Sequence, residues 1–506
     1  MQNNFSTIPE VVAYRAENHP DSIAFKKDNQ EISYFDLDLY SSNLAHTLLR
    51  KGLSYQEAVA IWAPNSIEWI VAAIATHKAG GKIVPINTRM KGPEAEYILN
   101  ASHAKFLFTV NNFLGQDFGE IARQQHVPDL KEIINLDKDN ILLTDRLDQA
   151  SELPTINPKD IADIIFTSGT TGKPKGVMVS HAQNIRVFDY WSTYIGLTQE
   201  DRYLIVNPFF HTFGYKAGWL ACLLRGCIGF PLDVFDPKVV LSKINDESIT
   251  MLPGPPTLYQ SIMQSDALSE SNISSLRLGV TGAAAIPVQL IHDMRNILGF
   301  ETIITAYGLT ESTGVVTMCT PSDAAETIAN TSGKPIEGVE VKCVAIDGNE
   351  APPYEQGEIL VRGFNVMEGY FEDPKATQDA INEDGWLHTG DIGFLDEYGY
   401  LKITDRVKDM FIVGGFNAYP AEIENIMASH QAVSQVAVIG VPDERMGEVA
   451  KAFVILKTKF SISEEELIVW CKENMANYKV PRSIEFVESL PTNADRKSTR
   501  LNSSHS

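Results

Sequence analysis

Thr167-Ser168-Gly169-Thr170-Thr171-Gly172-Lys173-Pro174-Lys175-Gly176 follows directly on the largely apolar run 161–166 and packs three glycines, three threonines, a serine and two lysines into ten residues. A buried strand that ends in such a loop predicts a cradle for polyphosphate. Glycines let backbone approach a ligand, N–H groups and hydroxyls donate hydrogen bonds, and lysines neutralise charge. The loop departs from the common G-x-x-x-x-G-K-[ST] phosphate motif, because Pro174 and Gly176, not Ser or Thr, follow the two lysines.

Outward from the loop, residues 34–50 carry Leu37, Leu44 and Leu48 at helical spacing, and 66–79 carry Trp69, Ile70, Ala73 and Ile74 likewise. The short runs 58–62 and 82–85 between them read as buried strands. The same texture returns at 106–110, 203–206, 249–252 and 276–281. Such alternation predicts an α/β body with mostly parallel sheets. From about Val339 short strands alternate with turn signals such as Asp347-Gly348 and Gly399-Tyr400, so a β-rich subdomain is expected over about 339–404, completing an N-terminal domain of 1–404. The pattern then restarts, with helices predicted at 421–429 and 464–474 and strands at 433–441 and 449–456. A small mobile α+β lid is therefore expected over 409–494, behind a hinge at 405–408.

A chain of 506 residues with 44% hydrophobic and 21% charged residues can bury a large core and predicts more than one domain. Its formal net charge of −23 argues against a general nucleic-acid surface, so phosphate must be held by a local site. Cys222, Cys227, Cys319, Cys343 and Cys471 show no disulfide or zinc spacing, which points to a reducing, cytoplasmic setting. No apolar run reaches the roughly 18 residues of a membrane span, and peripheral membrane contact stays open.

Five segments in order carry a resemblance: the loop at 167–176, Tyr307-Gly308-Leu309-Thr310-Glu311, Thr389-Gly390-Asp391, Asp405-Arg406-Val407-Lys408, and the stretch 414–424 with Gly414-Gly415-Phe416-Asn417-Ala418-Tyr419-Pro420. Together, over nearly the whole chain, they resemble the signatures of the adenylate-forming (AMP-binding) superfamily, in its acyl-CoA synthetase branch. The resemblance implies an enzyme that uses ATP and Mg²⁺ to convert a carboxylic acid to an acyl-adenylate and passes the acyl group to CoA. Bringing two anions together makes charge neutralisation and alignment most of the task. By similarity, Thr167, Ser168, Gly169, Thr170, Thr171, Gly172, Lys173 and Lys175 would hold phosphates. Thr310 would meet the α-phosphate and Glu311 would hold Mg²⁺. Tyr307, beside Gly308, would stack on adenine, with Gly282, Ala283 and Ala284 passing beneath it. Asp391 would accept the ribose hydroxyls, assisted by Arg406. Lys408 sits at the family's hinge position, and Gly414, Gly415 and Phe416 would meet CoA.

Asn207-Pro208-Phe209-Phe210-His211-Thr212-Phe213-Gly214-Tyr215 lies where relatives that activate fatty and aryl acids carry an aromatic-histidine segment. No acidic residue interrupts 207–218, so the ammonium of an amino-acid substrate would go unpaired in an apolar pocket, at a cost of several kcal/mol. An acid without an α-amine is expected. His211 is a candidate to orient its carboxylate or gate its tunnel. The wider segment 207–260 resembles actinobacterial-type ligases that join CoA to propanoate side chains on steroid-derived rings; a medium or long fatty acid is the competing substrate.

The family's last motif, Pro-x-x-x-x-Gly-Lys, is matched by Pro491 and Lys497, with Arg496 in place of glycine. Residues Asp495-Arg496-Lys497-Ser498 match the translation of sequencing-adapter DNA beginning GATCGGAAGAGC, and the similarity continues to His505. The tail 495–506 is therefore read as non-native, and Lys497 as a coincidence of register. On that reading this chain adenylates poorly yet forms thioester from supplied acyl-adenylate. Two alternatives remain: an adenylating enzyme that loads a carrier-protein thiol, and a catalytically inactive nucleotide-binding protein. Acid-dependent pyrophosphate release, and its dependence on CoA, separates them.

Overall fold

A computed structural model describes residues 5–137, 152–167, 174–282, 286–406, 411–413, 416–418, 420–443, 446–475 and 477–490. The apolar runs form strands because a strand covered on both faces must be apolar throughout. Ala58–Trp62, for example, is buried at every position. It lies inside a seven-stranded sheet of spatial order Gly369–Tyr370, Lys175–Ser180, Ile161–Thr167, Lys82–Pro85, Ala58–Trp62, Phe106–Thr109, Glu132–Asn135. Its last five strands run parallel, whereas the pairings of Lys175–Ser180 on both sides are antiparallel. Helix Ile67–Lys78 starts at Ser66, whose hydroxyl accepts the Trp69 N–H, and buries every residue but Glu68. Burial on all sides marks a helix sandwiched between layers.

A nine-stranded sheet forms the other large layer, in the order Lys334–Pro335, Thr317–Met318, Thr302–Tyr307, Leu278–Thr281, Met251–Pro253, Arg202–Ile205, Ile228–Pro231, Ile23–Lys27, Gln30–Ser33. It is parallel from Thr302–Tyr307 through Ile23–Lys27. Both sheets contribute to one large buried cluster, and a second cluster around Leu252, Ile291 and Met294 lies under the nine-stranded sheet alone.

Strands Val339–Val344, Gly357–Gly363, Leu387–Leu395 and Leu401–Arg406 make the four-stranded antiparallel sheet expected of the β-rich subdomain. The next strand, Phe411–Val413, belongs to a different sheet with Phe416–Ala418, Gly447–Leu456, Val433–Asp443 and Ser483–Phe486. Helices Pro420–Ala428 and Glu464–Asn474 accompany that sheet, and its buried residues form their own cluster around Ile423, Val438, Ala452 and Leu467. The fold is thus α/β with a β-rich subdomain and a separate C-terminal domain. Among the described residues no helix is long and apolar enough to cross a membrane.

Candidate active site

Parallel strands present their carboxyl ends on one side of a sheet, where ligands bind in open α/β folds. Strand Ile161–Thr167 ends at Thr167, which pairs with Lys175, so the two strands flank residues 168–174 of the sequence. The neighbouring strands Leu278–Thr281 and Thr302–Tyr307 place Gly282 and Tyr307 at equivalent ends of the nine-stranded sheet. Gly282 has φ of +157°, and a Cβ there would press on the Ala306 carbonyl oxygen at 3.2 Å, so the two turns run close together.

After Tyr307 the chain folds back on itself, with the Val316 N–H donating to the Tyr307 carbonyl at 2.7 Å. Thr310–Ser312 forms a single 3-10 turn that ends at Thr313 with φ of 58°. Glu311, half-buried, is a point where the two large sheets meet. Its Oε1 accepts hydrogen bonds from the Thr167 hydroxyl at 3.1 Å and from the Tyr370 hydroxyl at 3.1 Å, and its carbonyl accepts the Met367 N–H at 2.8 Å. The Lys175 ammonium stands 5.2 Å from the Tyr370 ring centroid. Among the described residues no three His, Cys, Asp or Glu side chains converge as a metal cage. A single carboxylate fixed by the Thr167 and Tyr370 hydroxyls nevertheless fits Mg²⁺, which is commonly held by one or two carboxylates together with substrate phosphates. When bound, the cation would neutralise phosphate charge there.

Tyr307 and Asp391, read separately in the sequence, are in contact. The phenol donates to Asp391 Oδ2 at 2.6 Å, with both residues buried. Asp391 is fixed from behind. Thr389 Oγ1 accepts the Asp391 N–H at 3.1 Å and itself donates to the Ile359 carbonyl at 2.7 Å, while Gly390 between them takes φ of +70°. Backbone register sets Arg406 opposite Asp391 in the antiparallel ladder.

The aromatic-histidine segment is anchored by Asn65, a buried residue for which the sequence held no local signal. Its side chain accepts the Phe209 N–H at 2.8 Å and donates to the Asn207 carbonyl at 2.9 Å. His211 is half-buried and caps the short helix Thr212–Gly214, its Nδ1 accepting the Phe213 N–H at 3.2 Å. With Nδ1 accepting, a neutral ring carries its proton on Nε2. Gly214 is required by the close approach of the Asn207 and Pro208 carbonyls, which a Cβ would overlap. The chain continues as a π-helix, Tyr215–Leu220, with Tyr215 stacked on Trp219 at 4.9 Å between centroids. A Cβ at Gly314, just beyond Glu311, would overlap the Thr212 methyl, so the aromatic-histidine segment packs against the turn that carries Thr310 and Glu311.

Within that π-helix Lys216 is fully buried, 3.0 Å from an oxygen of the equally buried Asp163. The attraction between them is chiefly coulombic. Asn184 Nδ2 donates to the other Asp163 oxygen at 2.6 Å. Burial pushes the Lys216 ammonium below the usual lysine range, and Asp163 opposes that shift. Residues 207–218 therefore have a carboxylate nearby in space, though none in their own sequence, and Lys216 already balances that charge.

Ser168, Gly169, Thr170, Thr171, Gly172 and Lys173, together with Ala283, Ala284, Lys408, Gly414, Gly415 and the tail 495–506 with Lys497, lie outside the described residues. Arg406 and Phe416 are described in their backbone alone. Of the expected site residues, the structure joins Thr167 to Glu311 and Tyr307 to Asp391, and it sets Arg406 in register with Asp391. Tyr370 and Asn65 are additions.

The chain is similar to known proteins along nearly its whole length. A family model described as AMP-binding enzyme matches residues 12–371, and one described as AMP-binding enzyme C-terminal domain matches residues 422–497. The chain is 42% identical to a methyl-dioxo-octahydroindenyl propanoyl:CoA ligase of Rhodococcus jostii, with 97% of each chain covered. It is also 42% identical to the ligase of the same name from Mycobacterium tuberculosis, with 98% of each covered. Among solved structures, o-succinylbenzoate CoA synthetase of Bacillus subtilis, in complex with its acyl-adenylate intermediate, superimposes with a TM-score of 0.85 at 31% identity, covering 97% of this chain and 96% of that one.

Proposed function

We propose, from the premise that this chain belongs to the AMP-binding enzyme family, that the acid it activates is a propanoate carried on a fused-ring, steroid-derived skeleton. The chain is an AMP-forming acyl-CoA ligase that uses ATP, Mg²⁺ and CoA. The acid attacks the α-phosphate and releases pyrophosphate, and the CoA thiol then displaces AMP. What carries the substrate reading is near-full-length similarity to two ligases named for one bicyclic propanoate. It is supported by the segment 207–218, whose neighbouring carboxylate, Asp163, is balanced by Lys216. A substrate ammonium would find no counter-ion in the described residues of that segment.

In this reading Thr167 and Lys175 flank the phosphates, Thr310 meets the α-phosphate, Glu311 ligates Mg²⁺ and His211 presents Nε2–H to the carboxylate. Tyr307 and Asp391 receive the nucleoside. A body of 1–404, a hinge at 405–408 and a lid from 409 to 494 would let one centre serve both half-reactions, with Gly414, Gly415 and Phe416 turned toward CoA in the second. We place the enzyme in the cytoplasm, in keeping with five cysteines that are free and buried.

The test is a panel of ring-bearing propanoates, aryl acids and fatty acids. Pyrophosphate release is read for each acid, and CoA-dependent consumption is read for each acyl-adenylate supplied directly. Ring propanoates should exceed fatty acids by about tenfold or more in kcat/KM, within the ~1–3 kcal/mol that pocket shape can supply. Preference for a straight-chain acid in both half-reactions would overturn the assignment.

A further inference from the structure

We propose that Tyr370 is a positioning residue for the cation-binding carboxylate; this rests on reading Glu311 as the ligand of Mg²⁺. Tyr370 and Thr167 both donate to Glu311 Oε1, each at 3.1 Å, and no described residue donates to Oε2. Two donors on one oxygen fix the carboxylate's rotation and leave the second oxygen to ligate. Partners of this kind orient a ligand without touching the metal.

The backbone around Tyr370 is held firmly enough to do this. Gly369–Tyr370 is the edge strand of the seven-stranded sheet, with Gly369 opposite Met178 and Tyr370 opposite Val177. On either side, the Glu368 N–H donates to the Met178 carbonyl at 3.0 Å and the Phe371 N–H to the Gly176 carbonyl at 2.7 Å. The Tyr370 N–H donates to Thr377 Oγ1 at 2.9 Å, and Gly369 takes φ of +139° to bring the strand in. The same segment grips the Glu311 backbone through Met367. Tyr370 is thus tied to the strand that leaves the phosphate loop and to the carboxylate across from it.

The experiment measures ATP binding by titration calorimetry on the full chain, without acid or CoA, over a range of Mg²⁺ concentrations. Three proteins are compared: unaltered, Tyr370→Phe and Glu311→Gln. Tyr370→Phe keeps the ring and should melt close to the parent without ligand. It should raise the Mg²⁺ concentration needed for half-maximal enhancement of ATP binding by about tenfold, the low end for loss of such a partner. Its ATP binding without Mg²⁺ should be unchanged. If Glu311→Gln abolishes the Mg²⁺ enhancement and Tyr370→Phe leaves it untouched, the positioning role is refuted while the ligand assignment stands. If Glu311→Gln leaves the enhancement intact, the ligand assignment falls and the role of Tyr370 falls with it.

Discussion

Replacing Lys216 by Met should damage this protein more than replacing Lys216 and Asp163 together. Both residues are fully buried and 3.0 Å apart, so Lys216→Met leaves Asp163 as an uncompensated charge in the core. Removing one partner of a buried pair costs about 3–5 kcal/mol, most of it for stranding the other. At ~2 °C per kcal/mol, the low end for large domains, the melting midpoint should fall by about 6–10 °C. Adding Asp163→Asn removes the stranded charge and keeps an oxygen to accept the Asn184 Nδ2–H, now 2.6 Å from Asp163. The double variant should recover at least half of the loss, so the two changes are strongly non-additive. The assay is thermal unfolding of the parent, both single variants and the double variant, at one scan rate. A double variant that melts at or below Lys216→Met would refute the reasoning, because the pair would then act as two independent contributors.

Burial holds the His181 imidazole down to about 4, and its ring lies edge-on at 4.9 Å to that of His77, also buried and held well below the usual histidine range. The unfolded chain therefore binds more protons than the folded one between pH ~6.5 and ~4, and stability is lost as pH falls through that window. His181→Gln should flatten the decline in melting midpoint between about pH 7 and about pH 5. His103 has the opposite sign: hydrogen bonds to Asp129 at 2.9 Å and Glu372 at 3.1 Å raise its pKa. Its contribution is full below about 6.5 and fades as pH rises through the raised value, so His103→Gln should lower the midpoint at about pH 6 and leave it nearly unchanged at about pH 9. Gly314→Ala places a methyl against Thr212 at a φ of +104°. It should weaken acid binding, read from the melting shift the acid produces, by more than it weakens ATP binding; equal weakening of both would contradict the packing described.

Much of the fold was legible because both kinds of buried element leave periodic marks. The helix expected at 464–474 is observed as Glu464–Asn474, and the runs at 58–62 and 82–85 are strands with those bounds. Ends marked only by a change in neighbours were less legible: the strand read at 249–252 runs Met251–Pro253, since its start is set by pairing with Leu278. Tyr370 escaped notice because a two-residue edge strand has no period. Lys216 did too, because a lysine among apolar residues reads as a surface position until its partner is seen on a distant strand. The motifs pointed to the acyl-CoA ligase class in advance. Their mutual contacts, Thr167 with Glu311 and Tyr307 with Asp391, depend on how separate sheets are laid together, which no local pattern records.

The edge strand Gly369–Tyr370 completes a sheet whose other six strands all precede His181, while seven strands of the nine-stranded sheet are encoded in between. On the ribosome, therefore, the carboxylate of Glu311 emerges well before the tyrosine that braces it. Its anchor arrives only once residue 371 has cleared the exit tunnel, and the first sheet waits with an unfinished border while the second is synthesised. A nascent product that stops before Gly369 carries Thr167 and Glu311 without Tyr370, the second donor to that carboxylate.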